Sequence, residues 1–380
     1  VIETHATVLR AGGVPGDGAP PPFEALAVEP VLLREPGPGE VLVDVAAACI
    51  CHSDLSVLTG HRPRPLPMAL GHEASGRVAA VGQGVTRFQP GQPVLMTYVP
   101  RCGHCRDCAE GRPALCEPGG AANAAGELLS GGRPFQDAGG AELHQHLGLS
   151  AFARQTVVAQ ESLLALPDDV PLAEAALLGC AVMTGVGAVT NTARVEPGSS
   201  VAVFGLGGVG LCAVLGARIA GASRVIGIDP DARTHALARE LGADEALLST
   251  DAVEEVRELT GGGADCSFEA AGVAAAFEQA YAATRRGGTT VVVGLADPAA
   301  RVAVSPSDLV ASERTIRGSY MGSTVPERDV PRYVELMRAG RLPLERLVGE
   351  RIGLDDVPAG MRRLHDGVVG RQLVLIGEAA

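Results

Sequence analysis

Val201-Ala-Val-Phe-Gly-Leu-Gly-Gly-Val-Gly210 reads as a short apolar strand running straight into a glycine-spaced helix start. Residues 201–204 are apolar, and 211–219 continue as a predicted helix. At such a junction Gly205 makes the tight turn, Gly207 lets backbone approach a pyrophosphate, and Gly210 allows close helix–strand contact. Gly208 and Val209 lie where a helix start offers free N–H groups and its positive dipole end to phosphate. An ordinary α/β glycine turn can carry the same letters, but the strand before and the helix after favour the nucleotide reading. Asp229 closes the next predicted strand, 224–228. A carboxylate there accepts from ribose hydroxyls and repels a 2′-phosphate, so NAD is expected over NADP. Arg233 is expected near the adenosine.

Working outward, 232–241 reads as a helix, and 266–269, 289–293 and 315–317 as further strands. Strands alternating with helices predict an α/β domain whose parallel sheet is covered on both faces. Upstream, the Ala-rich stretch 172–189 predicts one helical connection ending near Thr190. The first third is β-rich, with strands predicted at 41–45, 76–81 and 93–97 between Gly and Pro turns. Residues 117–142, rich in Gly, Ala and Pro, predict a long surface loop. A last strand is predicted at 372–376.

The chain has 380 residues and a formal charge of −13, and every one of its 31 basic residues is Arg. Without Lys there is no Schiff-base catalysis and no Walker-type phosphate lysine. A nucleic-acid surface needs a basic field, so no nucleic-acid partner is expected. No run of about 18 uncharged apolar residues exists, so no membrane span is expected. Val1-Ile-Glu-Thr-His5 lacks a basic region followed by an apolar stretch, so no secretory signal is expected and the cytoplasm is the expected compartment. Nine Cys in such a chain point to metal ligands or buried thiols rather than disulfides.

Four of them form Cys102-Gly-His-Cys105-Arg-Asp-Cys108, followed by Cys116. That spacing lets one loop wrap a tetrahedral ion with every position filled, a closed structural zinc site. His104 lies inside the loop but is surplus to it. A second set is dispersed: Cys51-His52-Ser53-Asp54, then Gly71-His72-Glu73, then Gly179-Cys180. Singly each is weak, since a lone Cys after a strand is usually a buried thiol. Together Cys51, His72 and Cys180 offer two thiolates and one imidazole, with a fourth zinc position open. Asp54 and Glu73 are natural outer carboxylates. Asp54 is the one expected to accept the free ring N–H of His72.

In order and spacing these motifs resemble those of the zinc-dependent medium-chain alcohol dehydrogenases, over nearly the whole chain. The two-Cys, one-His set is the one already known for alcohol dehydrogenases. The resemblance implies a GroES-like β-barrel catalytic domain (1–181 and 321–380, with a zinc lobe at about 100–117). A Rossmann NAD-binding domain (182–320) interrupts it, and the active site lies in the cleft between them. It implies NAD and two zinc ions per chain, one held by Cys51, His72 and Cys180 and one by Cys102, Cys105, Cys108 and Cys116. Ser53 then falls where a hydroxyl contacts the alcohol, and His52 and Arg371 where basic groups meet the pyrophosphate. The implied partner is a small alcohol or aldehyde. Segment 117–142 resembles the long-loop, class III-like form, which implies a homodimer. Many relatives end a proton relay at a His five residues after the first zinc ligand; here that residue is Ser56. By alignment Tyr98, Phe152, Leu295, Tyr320 and Met321 line the substrate pocket, with Leu295 also at the cofactor and Arg62 near the mouth. This implies primary aryl or medium-chain alcohols. The alternative is a thiol-dependent formaldehyde dehydrogenase oxidising an S-hydroxymethyl adduct. Arg62 disfavours it by repelling an ammonium group.

Overall fold

A computed structural model describes residues 1–15 and 19–377, and the chain forms two compact units. The first comprises Val1–Cys180, Val325–Val334 and Val348–Ala380; the second comprises Ala181–Thr324 and Glu335–Leu347. The sequence places the boundaries after residues 181 and 320, whereas the structure places them after Cys180 and Thr324. Residues 321–324 stay with the second unit because they pack on the helix Ala181–Gly187. A Cβ at Gly322 would strike the Met183 carbonyl, and Thr324 Oγ1 donates to that same carbonyl at 3.1 Å. Glu335–Leu347 belongs there too, burying Leu344 and Leu347 and joining Arg341 to the Ile219 carbonyl.

The second unit is α/β. Its six strands run parallel in the order Glu245–Leu247, Arg224–Ile228, Ser200–Phe204, Ala264–Glu269, Thr284–Val292, Thr315–Gly318. Ala202, Phe204, Ile226, Ile228, Val256 and Ala280 fill one face of the sheet. The chain reverses direction across the sheet at Ser200–Phe204, so the residues after Phe204 sit at the topological switch point, where open α/β sheets bind ligands.

The first unit is built from strands. Ile2–Leu9, Leu26–Leu33, Phe135–Asp137, Glu142–Gln145 and Met68–Ala69 close into a small barrel. Leu33, Leu128, Phe135 and Leu143 pack inside it. A second sheet runs Leu163–Ala165, Pro93–Met96, Ala74–Val81, Glu40–Cys49, Arg371–Leu375, Val348–Gly353, with Gln155–Ala159 also on Glu40–Cys49.

Two sequence expectations need correction. Segment 117–142 is not a plain loop. Cys116 Sγ accepts the Gly119 N–H to cap a helix, Glu117–Ala125, which ends at left-handed Gly126. Leu128 and Phe135 then bury in the barrel, an apolar pull that the surrounding Gly and Ala conceal. Stretch 172–189 is not one helix either. It turns through Leu172–Ala175 and Ala176–Gly179, breaks at Cys180 (φ −142°, ψ −69°), and restarts at Ala181. Among the described residues no single helix is long and apolar enough to cross a membrane.

Candidate active site

Cys51 lies at the end of the Glu40–Cys49 strand and caps the helix His52–Leu58. Asp54 Oδ2 accepts the Cys51 N–H at 3.1 Å, which fixes the cysteine backbone. His72 sits between Met68–Ala69 and Ala74–Val81, after Gly71 at φ +98°. Gly71 has to be glycine for a second reason: a Cβ there would strike the Phe152 backbone N–H. Cys180 is aimed by the helix break, and a Cβ at Gly179 would come within 2.7 Å of the Met96 carbonyl.

These placements gather Cys51, His72, Glu73 and Cys180, all buried, with their ligand atoms within 4.8 Å of one another. Asp54, wholly buried, accepts from His72 Nδ1 at 3.0 Å. The other ring nitrogen, His72 Nε2, is buried with no hydrogen-bond partner. An orphaned imidazole nitrogen facing two thiols is what a zinc site needs, because a buried acceptor without a partner is costly. Glu73 is less available, since its carboxylate is paired with buried Arg371. The electrostatics agree. A hydrogen bond from Cys180 holds the Cys51 thiol well below its ordinary range against burial. The same contact, with burial, pushes Cys180 well above it. The set thus keeps a proton that a divalent cation would displace. Burial lowers the affinity of His72 for a proton, but the charge and hydrogen bond of Asp54 overcome this and raise it.

Cys102, Cys105, Cys108 and Cys116 also lie within 4.8 Å of one another. Backbone N–H groups point at the sulfurs: Cys105 N to Cys102 Sγ at 3.2 Å, Cys102 N to Cys116 Sγ at 3.3 Å. The N–H of Cys108 pulls the Cys105 thiol down to about 6, while burial pushes Cys108 up to about 12. His104 turns its Nδ1 to the Cys102 carbonyl at 2.8 Å and is exposed.

In the second unit the three glycines divide their tasks. Gly205 has φ +95°, and a Cβ at Gly210 would strike the Gly205 carbonyl. A Cβ at Gly207 would meet nothing, so that face of the turn is open. Gly208 and Val209 begin the helix Gly208–Ala220. Asp229 accepts from the backbone N–H of Leu206 at 2.7 Å and of Asp231 at 2.8 Å, which clamps its carboxylate to the glycine turn. Arg233 is exposed and pairs with Asp231.

The remaining expected site residues belong to both units. His52 is exposed and Ser53 half-buried at the start of their helix. Ser56 Oγ donates to the His52 carbonyl at 2.7 Å. Tyr98 is buried and meets the His72 ring edge-on at 5.6 Å. Phe152 is wholly interior, its backbone N–H on the Leu70 carbonyl at 3.0 Å. Arg62 is half-buried on the loop after residue 58. Leu295, Tyr320 and Met321 belong to the second unit, the first two exposed and Met321 buried. The residue that sequence reasoning missed is His146. It is buried, and its ring lies 5.3 Å from that of His72. A lone His in His144-Gln-His146 carries no local signal, because its neighbour is 74 positions away in the chain.

The chain matches the alcohol dehydrogenase GroES-like domain over residues 37–168 and the zinc-binding dehydrogenase domain over 208–339. It is 40% identical over 370 residues to the geraniol dehydrogenase of Castellaniella defragrans, covering 96% of each chain. Its fold is similar to that of the benzyl alcohol dehydrogenase of Acinetobacter calcoaceticus, with a TM-score of 0.91 and 30% identity over 99% of this chain and all of that one. It is also similar to a putative zinc-binding dehydrogenase of Sinorhizobium meliloti bound to NADP, with a TM-score of 0.79 and 27% identity over 99% of this chain and all of that one.

Proposed function

Because the chain belongs to the zinc-dependent medium-chain alcohol dehydrogenases, oxidoreductases of CH–OH groups that use zinc and a nicotinamide cofactor, we propose that it interconverts primary aryl or medium-chain alcohols and their aldehydes with NAD. The observation that carries the reading is the unpartnered His72 Nε2 set against Cys51 and Cys180. A zinc ion held there supplies a Lewis acid that lowers the pKa of an alcohol toward neutrality. Asp54 keeps His72 in the tautomer that leaves Nε2 free. Arg371 neutralises Glu73 and draws it from the ligand set, leaving two thiols and one imidazole. Ser53 is assigned the alcohol proton. With no His at position 56, that proton leaves through Ser56 and water, or directly from the cofactor ribose, rather than through an imidazole.

Geraniol and benzyl alcohol, the alcohols in the names of two similar enzymes, are both primary alcohols with an unsaturated carbon next to the carbinol. They support the proposed substrate class. Reduced-nicotinamide absorbance with NAD and a panel of primary, secondary, aryl and aliphatic alcohols tests it; secondary alcohols turning over faster than benzylic or allylic ones would overturn it. In the same reading a second zinc fills the four-cysteine lobe, and His52 and Arg371 serve the cofactor phosphates. A homodimer is proposed with it. Among the described residues the edge strand Thr315–Gly318 has a neighbour on one side only, and Val310 on the preceding helix Pro306–Ser312 is 77% exposed. Sedimentation of the purified chain as a monomer would contradict the homodimer.

The NAD preference rests on Asp229. Asp229→Asn keeps the size and one acceptor for the glycine turn but removes the charge that repels a 2′-phosphate. The ratio of kcat/KM for NADP over NAD is expected to rise roughly ten- to a hundredfold, as for loss of one charged contact of about 1.5–3 kcal/mol. An unchanged ratio would mean that the carboxylate anchors the turn without selecting the cofactor.

A further inference from the structure

His146 is buried beside the zinc set and has no part in it. Its Nδ1 lies 3.1 Å from Asp54 Oδ1, the same oxygen that accepts from His72 Nδ1 at 3.0 Å. Among the described residues His146 Nδ1 has no other polar partner. The two imidazoles meet edge to face, at 81° between their planes. Asp54 Oδ2 is already taken by the Cys51 N–H, so the two rings compete for one oxygen.

The pairing is built into the barrel. Met68–Ala69 lies parallel to Glu142–Gln145, with Ala69 opposite Gln145. Two strands pointing the same way therefore launch His72 and His146 side by side. Ser150 Oγ accepts the His146 N–H at 2.9 Å and donates to the Ala69 carbonyl at 2.7 Å, pinning one strand exit to the other. Leu147 and Ser150 hold φ of 51° and 47°, a left-handed backbone that non-glycine residues adopt at a cost.

We propose that His146 is a positioning residue for His72. By drawing on the same Asp54 oxygen, it limits how much of the carboxylate's charge reaches His72 and so sets how tightly His72 Nε2 grips its cation. The inference rests on the zinc reading of Cys51, His72 and Cys180. An outer carboxylate raises the basicity of a metal-bound histidine. An oxygen shared between two ring N–H groups gives less to each, so removing His146 concentrates the effect on His72.

The test times zinc release from the purified holoenzyme to dipicolinate, with the four-cysteine zinc as internal control and the melting temperature read in parallel. His146→Phe is expected to slow release of the catalytic-site zinc about three- to tenfold, below the 10–100-fold effects of losing an outer partner of a metal ligand outright. His146→Gln, whose amide N–H can still reach Asp54, is expected to stay near wild type. His146→Asn, too short to reach it, is expected to follow the Phe variant and serves if that one does not fold. In an Asp54→Asn background the effect of His146→Phe is expected to fall below about twofold, because the shared charge has gone. An equal effect in both backgrounds, or release unchanged in every variant while two zinc ions are present, overturns the role of His146 and leaves the zinc reading standing. A holoenzyme carrying only the four-cysteine zinc overturns the zinc reading, and this inference with it.

Discussion

Cys180→Ser is expected to lower kcat/KM by about a thousandfold or more and the zinc content from two ions per chain to one. The first figure corresponds to several kcal/mol of Lewis-acid stabilisation at about 1.36 kcal/mol per decade. The second follows from the ligand count: with Cys180 gone, one thiol and one imidazole remain, too few to retain the ion. The fold should survive. Cys180 occupies a break between two helical pieces, and the glycine before it, not its sulfur, makes the close contact with Met96. Circular dichroism and metal analysis on the same sample separate the outcomes. Retained activity at one zinc per chain would remove Cys180 from the ligand set, and unfolding would make it a core residue instead.

Cys105→Ser acts on stability. The lobe has almost no core: its helix Arg106–Ala109 contains no buried residue, and Cys102, Cys105 and Cys108 are only half-buried. Structural zinc in comparably small modules contributes about 10–16 kcal/mol of apparent binding free energy. If only about 2 kcal/mol of that reaches the whole first unit, the melting midpoint falls by about 4–8 °C. The sharper readout is trypsin. Arg106 is 84% exposed, held by the turn of the lobe and by an ion pair to Glu110. If the sulfurs hold an ion and lose it, cleavage after Arg106 should outpace cleavage elsewhere. Wild-type resistance at that site, with wild-type zinc, would show that the lobe closes without Cys105.

The nucleotide fold was legible because its signals are local. The Ser200–Phe204 strand, the glycine turn and the helix after it are each decided within a few residues, and parallel pairing follows from their alternation. The gathering of Cys51, His72 and Cys180, and of the four lobe cysteines, was legible through chemistry, since thiols and an imidazole at those intervals have few other uses. Three features escaped for one reason, which is that their causes are distant in the chain. The segment that holds the helix Glu117–Ala125 is ordered because Leu128 finds a barrel core built from residues 2–33 and 135–145. The apolar run 172–189 breaks where Gly179 docks on Met96, some 80 residues earlier. His146 acquires a neighbour only when Met68–Ala69 and Glu142–Gln145 pair.

The two metal sets also differ in when they can exist. On the ribosome Cys102 to Cys116 emerge within 14 residues of one another and can meet an ion at once, while the other cage spans 129 residues from Cys51 to Cys180 and waits for nearly half the chain. Closing the longer loop costs about 2 kcal/mol more in chain entropy. If both sets take metal, loading is therefore ordered in time, with the lobe metallated early and the other cage left open until the barrel around His72 is complete.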